Sequence, residues 1–207
     1  QTRWNEVDKP RVFTGDWPVA PRLIEDDYTV TDAVVVGSLL ITLLRHADRV
    51  SMANLAQLVN VIAPIRTEPG GPAWRQTTFF PFQLTAAAAH GTVVVPTVES
   101  ASIETTKHGA VAAVDAVATV DGDEIVVFAA HRDLDEASEV VIDLDREIAA
   151  ADALVVTVPE GGDRHTVNSA QAQPVAPASL ATVVDGTRVH LTLPPLSWAR
   201  ITLRAAR

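Results

Sequence analysis

The chain has 207 residues, of which 47% are apolar, 20% charged and 5% aromatic. That is material for one large folded domain or two small ones, not for a disordered chain. Sixteen Lys and Arg against 26 Asp and Glu give a formal charge of -10, which offers no basic surface to a phosphate backbone or an anionic membrane.

Cysteine is absent, which excludes disulfides, thiolate metal sites and a Cys nucleophile and fits a reducing cytoplasm. The first residue is Gln1 and no basic-then-apolar leader follows it, so the expectation is a chain that continues from something upstream. The apolar run 33–44 is interrupted by Gly37, Ser38 and Thr42 and is too short to span a bilayer.

Residues 28–48 read as a helix. Thr29, Thr31 and Asp32 supply cap and first-turn chemistry, Val34, Val35, Leu39, Leu43 and Leu44 follow, and Arg45 and His46 suit the negative end of the dipole. Being apolar almost all round, it is expected to be covered on both sides. Residues 50–63, rich in Val, Leu, Ile and Ala and ended by Pro64, read as a strand buried on both faces, as in a parallel sheet. Residues 64–76 hold Pro69, Gly70, Gly71 and Pro72 and read as a loop; 77–90 read as a second helix with Pro81 in its first turns and Gly91 as its stop.

Beyond Gly91 the texture changes. Short Val-, Ile- and Thr-rich runs at 92–99, 111–120, 124–131, 139–144, 153–158, 187–193 and 197–204 are separated by turn pairs such as Asp121-Gly122, Gly161-Gly162 and Asp185-Gly186. This spacing predicts a β-sandwich or jelly roll. Val189, Leu191 and Leu193 alternate with His190 and Thr192, the period of a strand with one wet face. The expected boundary lies near Gly91, giving an α/β segment over 1–91 and an all-β domain over 92–207. Two helices and one interior strand cannot cover each other's apolar faces, so the α/β part is expected to be incomplete by itself.

Particular stretches carry a resemblance. They are Leu39-Leu40-Ile41-Thr42-Leu43-Leu44-Arg45-His46-Ala47-Asp48-Arg49-Val50, Ala53-Asn54-Leu55-Ala56-Gln57-Leu58-Val59-Asn60-Val61-Ile62-Ala63-Pro64-Ile65, Thr67-Glu68-Pro69-Gly70-Gly71 and Ala73-Trp74-Arg75-Gln76-Thr77. In the β part they are Thr106-Lys107-His108-Gly109, Ala130-His131-Arg132 and Leu193-Pro194-Pro195-Leu196-Ser197-Trp198. Together they resemble the C-terminal part of the α-L-arabinofuranosidases of glycoside hydrolase family 51, with the likeness weakening between about 139 and 186.

The resemblance implies the last β/α units of a (β/α)8 TIM barrel followed by a jelly-roll β-sandwich. It also implies exo-acting, retaining hydrolysis by two glutamates, whose carboxylates stand roughly 5 Å apart in such enzymes. Both glutamates would lie upstream of Gln1, so no catalytic residue is expected in this chain. Trp4-Asn5-Glu6 has the family's elements in the wrong order, and Glu6 is read as a solvated loop carboxylate; Trp4 and Trp17 could line a distal subsite or pack their loop down. The resemblance further implies arabinan, arabinoxylan side chains and arabino-oligosaccharides as substrates, the remainder of the barrel as a partner and a hexamer; a cytoplasmic location is expected from the absence of cysteine, and no cofactor is expected.

Gln57 is the candidate substrate-binding residue. A neutral amide at the C-terminal end of a barrel strand donates and accepts at once, holding a sugar hydroxyl or ring oxygen without changing the charge around two carboxylates; the resemblance places it in the arabinose subsite. The alternative is a buried amide tying two strands together. Asn54 and Asn60 are read as structural. Glu68 is the only carboxylate between 64 and 76 and is expected to pair with Arg66 or Arg75. Trp74 could stack on a sugar or wedge between the two parts. The six histidines show no metal-ligand spacing, and Asp133, Asp135 and Glu136 are read as a charged hairpin or loop. The rival function is a free-standing carbohydrate-binding or assembly module, opposed by a β part whose aromatics are only Phe128 and Trp198.

Overall fold

The computed structural model of the chain describes residues 26–206. Helix α1 (Val30–Arg45) opens with a reciprocal cap: Asp32 N donates to Thr29 Oγ1 at 3.3 Å, and Thr29 N donates to Asp32 Oδ2 at 2.8 Å. This satisfies two amides at a helix start where four lack intrahelical partners. Strands β1 (Ile65–Thr67) and β2 (Ala73–Arg75) form a hairpin closed by Glu68 N donating to Pro72 O at 3.1 Å. Helix α2 (Phe79–Ala88) follows, with Pro81 in the first turn, where a missing N–H costs nothing.

Eleven further strands follow among the described residues. They are β3 (Thr92–Val94), β4 (Ser102–Thr105), β5 (Gly109–Ala112), β6 (Val114–Asp121), β7 (Glu124–His131), β8 (Ser138–Asp143), β9 (Ile148–Val156), β10 (Ala178–Leu180), β11 (Val183–Asp185), β12 (Arg188–Leu193) and β13 (Ser197–Ala205). A six-stranded sheet, ordered β10-β9-β13-β7-β6-β3, faces a three-stranded sheet ordered β11-β12-β8, and β4 and β5 make a separate hairpin. Every named pair is antiparallel. Between α2 and β3 the chain turns at Gly91, whose φ is +77° and whose missing Cβ would strike the Val120 carbonyl; only glycine fits there.

The large sheet is covered on both faces. Toward the small sheet it sends Ala116, Ala118, Val127, Ala129, Ile201 and Leu203, which meet Val189, Leu191 and Leu193 of β12. Toward the helices it sends Val117, Val126, Phe128, Ala130, Val156 and Trp198, which meet Val30, Ala33, Val34 and Ile41 of α1 and Phe80 and Leu84 of α2. Trp198 is fully buried, its ring 6.1 Å from that of Phe128 and close to parallel with it. An indole of this kind removes roughly 150–250 Å² from water, about 4–6 kcal/mol at 25 cal/mol per Å². Double coverage explains why β7 is buried along nearly its whole length, as strands covered on both faces are.

Both helices, the two-sheet sandwich, the strand at 124–131, the one-faced alternation of β12 and the turns at 121–122 and 185–186 agree with the sequence reading. Four expectations are corrected. Residues 50–63 form no strand: apart from a lone parallel bridge between Val59 and Ile65 the segment is irregular, and most of it is exposed. A parallel strand needs a hydrogen-bonding neighbour along its length, and among the described residues segment 50–63 has only that one bridge. Helix α1 is not covered all round, since Val35, Leu39 and Leu43 are exposed. The stretch 64–76 is a hairpin, not an unstructured loop. Gly161-Gly162 joins no strand pair; it lies in the long connection 157–177, which returns to α1 through Val30 N donating to Thr166 O at 3.1 Å and Thr31 N to Arg164 O at 3.2 Å.

Candidate functional site

The candidate residue Gln57 lies where segment 50–63, the β1–β2 hairpin and α2 meet. Gln57 is exposed, with φ +57°, and lines an open cleft of about 590 Å³ together with Asn54, Leu58, Phe79 and Phe82. The cleft is mostly apolar, and the amides of Gln57 and Gln83 are among its few polar groups. The Gln57 amide can donate from Nε2 and accept at Oε1. Glu6, Trp4 and Trp17 lie outside the described residues.

The amide that ties the region together is Gln76. It is almost fully buried, and both ends of its side chain are used: Nε2 donates to Ala63 O at 2.7 Å and to Asp26 O at 3.1 Å, while Oε1 accepts from Tyr28 N at 3.1 Å. The entry to α1, the end of segment 50–63 and the exit of the hairpin are thereby joined through one side chain. Sequence reading attached that tying role to Gln57 as its alternative. Beside it, Tyr28 Oη donates to Ile62 O at 2.8 Å; partial burial, and then the carboxylates of Asp26 and Asp32, push the phenol above its ordinary pKa.

The other candidates fall as follows. Asn60 is structural: its Oδ1 accepts from Thr67 N at 2.7 Å and its Nδ2 donates to Thr67 Oγ1 at 2.9 Å, bracing a residue at φ +60°. Asn54 is exposed and makes no hydrogen bond to a described residue. Glu68 pairs with neither arginine. Arg66 instead pairs with Asp27 and lies 5.4 Å over the Trp74 ring, and Arg75 lies 5.0 Å over Phe79; each cation has found a better-placed neighbour than the carboxylate at the hairpin tip. Trp74 is buried, so it packs and presents no face to a sugar. Asp133 accepts from the backbone N–H of Asp135 at 2.9 Å and of Glu136 at 3.0 Å, and these bonds hold its carboxyl below the usual range. It is a turn residue, and among the described residues no group of three His, Asp or Glu is placed to hold a metal.

Two further buried polar residues are fully bonded, Asn168 beside the exit of the hairpin and His131 within the sandwich. Asn168 closes a ring of bonds: Nδ2 donates to Val175 O at 2.8 Å and to Arg75 O at 3.0 Å, and Oδ1 accepts from Val175 N at 2.9 Å. His131 is fully buried, with Nδ1 at 2.8 Å from Pro194 O and Nε2 at 2.9 Å from Ser138 Oγ. Because a carbonyl only accepts, the proton sits on Nδ1 in the neutral ring, and Ser138 donates to Nε2. For His131 the Ala-His-Arg stretch was a signal; for Asn168 no local pattern exists.

Comparison with known proteins bears directly on this arrangement. A family model described as the α-L-arabinofuranosidase C-terminal domain matches residues 3–197. The chain is 47% identical over 193 residues to an exo-α-(1→6)-L-arabinofuranosidase of Bifidobacterium longum, covering 90% of this chain and 37% of that protein. It is 46% identical over 191 residues to an intracellular exo-α-(1→5)-L-arabinofuranosidase of Streptomyces lividans, covering 90% of this chain and 28% of that one. A solved family 51 α-L-arabinofuranosidase from Bifidobacterium longum superposes with a TM-score of 0.82 at 42% identity, over 89% of this chain and 37% of the other. The chain thus spans roughly a third of the length of the relatives it matches.

Proposed function

Because the chain belongs to the C-terminal domain family of the glycoside hydrolase family 51 α-L-arabinofuranosidases, we propose that it serves as the C-terminal part of a retaining, exo-acting enzyme. That enzyme removes terminal non-reducing α-L-arabinofuranosyl residues from arabinan, arabinoxylan and arabino-oligosaccharides. The observation that carries this reading is near-half identity, over nine-tenths of the chain, to relatives named exo-arabinofuranosidases. In it, residues 1–91 complete a (β/α)8 barrel and 92–207 form the C-terminal sandwich. Two upstream glutamates perform the double displacement, one attacking the anomeric carbon while the other protonates the leaving oxygen and then activates water. Gln57 holds the arabinose through its amide. A cytoplasmic location is supported by relatives named intracellular; no helix among the described residues is long and apolar enough to cross a membrane. A hexamer belongs to the same proposal.

The free-standing sugar-binding module is disfavoured by the positions of the two aromatics in the β part. Phe128 and Trp198 are both buried beneath the helices, so neither can stack on a sugar there.

The test is arabinose release from an aryl α-L-arabinofuranoside. The 207-residue chain alone is expected to be inactive. Transplanted in place of the matching region of the Bifidobacterium longum exo-α-(1→6)-L-arabinofuranosidase it should support hydrolysis, and Gln57→Ala should lower kcat/KM by about 10- to 100-fold, the scale of one lost polar contact to substrate. Hydrolysis by the chain alone, or an unchanged kcat/KM in the variant, would overturn the assignment it concerns.

A further inference from the structure

The chain holds two Asp-Gly pairs, Asp121-Gly122 and Asp185-Gly186, each preceded by valine. Glycine has no side chain to shield its amide nitrogen, so the side-chain carbonyl of an aspartate before it lies open to attack by that nitrogen. Both pairs stand at the mouths of two-residue hairpins, with Asp121 opposite Glu124 and Asp185 opposite Arg188. Both glycines have positive φ, +60° at Gly122 and +62° at Gly186. Local sequence and turn therefore match, and only the surroundings differ.

Asp121 ends the eight-residue strand β6, which is paired along its length to β7 and on its other side to β3. Nothing lies within 4 Å of the place a Cβ on Gly122 would take. Asp185 ends β11, three exposed residues at the edge of the small sheet, paired to β12 alone among the described strands. A short edge strand opens locally at lower cost than a central one. Over Gly186 lies the Glu147 carboxylate, its oxygens 3.6 and 3.9 Å from where a Cβ on that glycine would stand. The Gly186 N–H and the Asp185 carboxyl make no hydrogen bond among the described residues. A nucleophile, an electrophile and a proton acceptor are thus gathered at one turn.

We propose that Asp185-Gly186 is a site of spontaneous isomerisation to isoaspartate, promoted by Glu147. Gly186 N forms a bond to Cγ of the protonated Asp185 carboxyl while Glu147 takes the amide proton. The carboxyl hydroxyl then leaves as water with the proton that Glu147 returns, and a succinimide closes. A water opens the ring at the former main-chain carbonyl, so the chain runs on through Cγ and the α-carboxylate is left free. One water is lost and one regained, and the mass is unchanged. The extra backbone methylene displaces Gly186 O and Thr187 O, which accept from Ile148 N and Leu144 N at 3.0 Å each. Ile148 belongs to the core between the sheets, so ageing at this turn loosens the small sheet. None of this depends on the arabinofuranosidase reading.

The test is to age the 207-residue chain near neutral pH, or the chimera described above should the chain aggregate, and to digest it with trypsin. Peptides 108–132 and 165–188 hold the two pairs, and electron-transfer fragmentation separates isoaspartate at 185 from any formed at Asn168 in the same peptide. Isoaspartate is expected to accumulate at 185 about 10-fold faster than at 121. Glu147→Gln should slow it at 185 by about 3-fold or more and leave 121 unchanged. In denaturant the two sites, sharing Val-Asp-Gly, should age at similar rates. Equal rates in the folded chain, a difference that persists in denaturant, or a Glu147→Gln variant that ages at 185 like the parent overturns the proposal.

Discussion

Tyr28 is the single tyrosine of the chain, which turns a local pKa shift into a clean observable. Burial disfavours the phenolate, and two neighbouring carboxylates add repulsion. The folded pKa therefore lies above the unfolded value near 10. The neutral phenol is preferred in the folded state, so its contribution to stability is complete below the unfolded pKa and is lost as pH rises through the folded one. A tyrosinate titration followed at 295 nm should give a midpoint above that of the same chain in denaturant, and Asp26→Asn should move it back down. An unchanged midpoint in both would show that Tyr28 is not packed against Ile62 and the carboxylates as described.

At the scale of elements, α1 meets the large sheet through an absence. Gly37 lies directly over the Trp198 indole, and a Cβ there would overlap the ring. Alanine favours an isolated helix by about 1 kcal/mol over glycine, but overpacking of this kind costs about 1–3 kcal/mol, so Gly37→Ala should lower stability in urea while Ser38→Ala, whose hydroxyl bonds among the described residues only to Val34 O within the helix, stays near parent. A stabilised Gly37→Ala would mean that α1 stands further from the sheet. The same element scale shows what was legible beforehand. The capping chemistry of Thr29 and Asp32, the alternation in β12 and the Gly-containing turns are local signals, readable residue by residue. Segment 50–63 was misread because an apolar run without periodicity reports only that burial is wanted, while its neighbours decide whether a strand forms. The short strands β4, β10 and β11 carry too few alternating residues to stand out. Gln76 and Asn168 were invisible for another reason: a buried amide is defined by partners far away in sequence, and no spacing announces them. Gln57 was legible only through the resemblance.

For the molecule as a whole, the connection 157–177 acts as a clasp. It touches the start of α1 through Thr166 and Arg164, and through Asn168 it holds both Val175 and the exit of the β1–β2 hairpin. Asn168→Ala would leave buried backbone groups without partners, at about 1–3 kcal/mol; denaturant midpoints should fall accordingly, and Asn168→Asp should not rescue them, because a buried carboxylate cannot donate to the two carbonyls and is repelled by them. A neutral result would assign the clasp to backbone bonds alone. Asp115 adds a second cross-link, accepting from Arg45 at 2.5 Å and from Arg132 at 2.7 Å, so the end of α1, β6 and the end of β7 share one carboxylate.

The two-sided cover of the large sheet also determines where this polypeptide can be divided. A cut at the change of texture near Gly91 would strip α1 and α2 from the face built around Trp198, Phe128, Val117 and Val156 and leave a sticky sandwich. The seam suggested by composition is therefore not a seam in the packing, and any excision, fusion or recombination of this unit has to carry the helices along with the strands they cover.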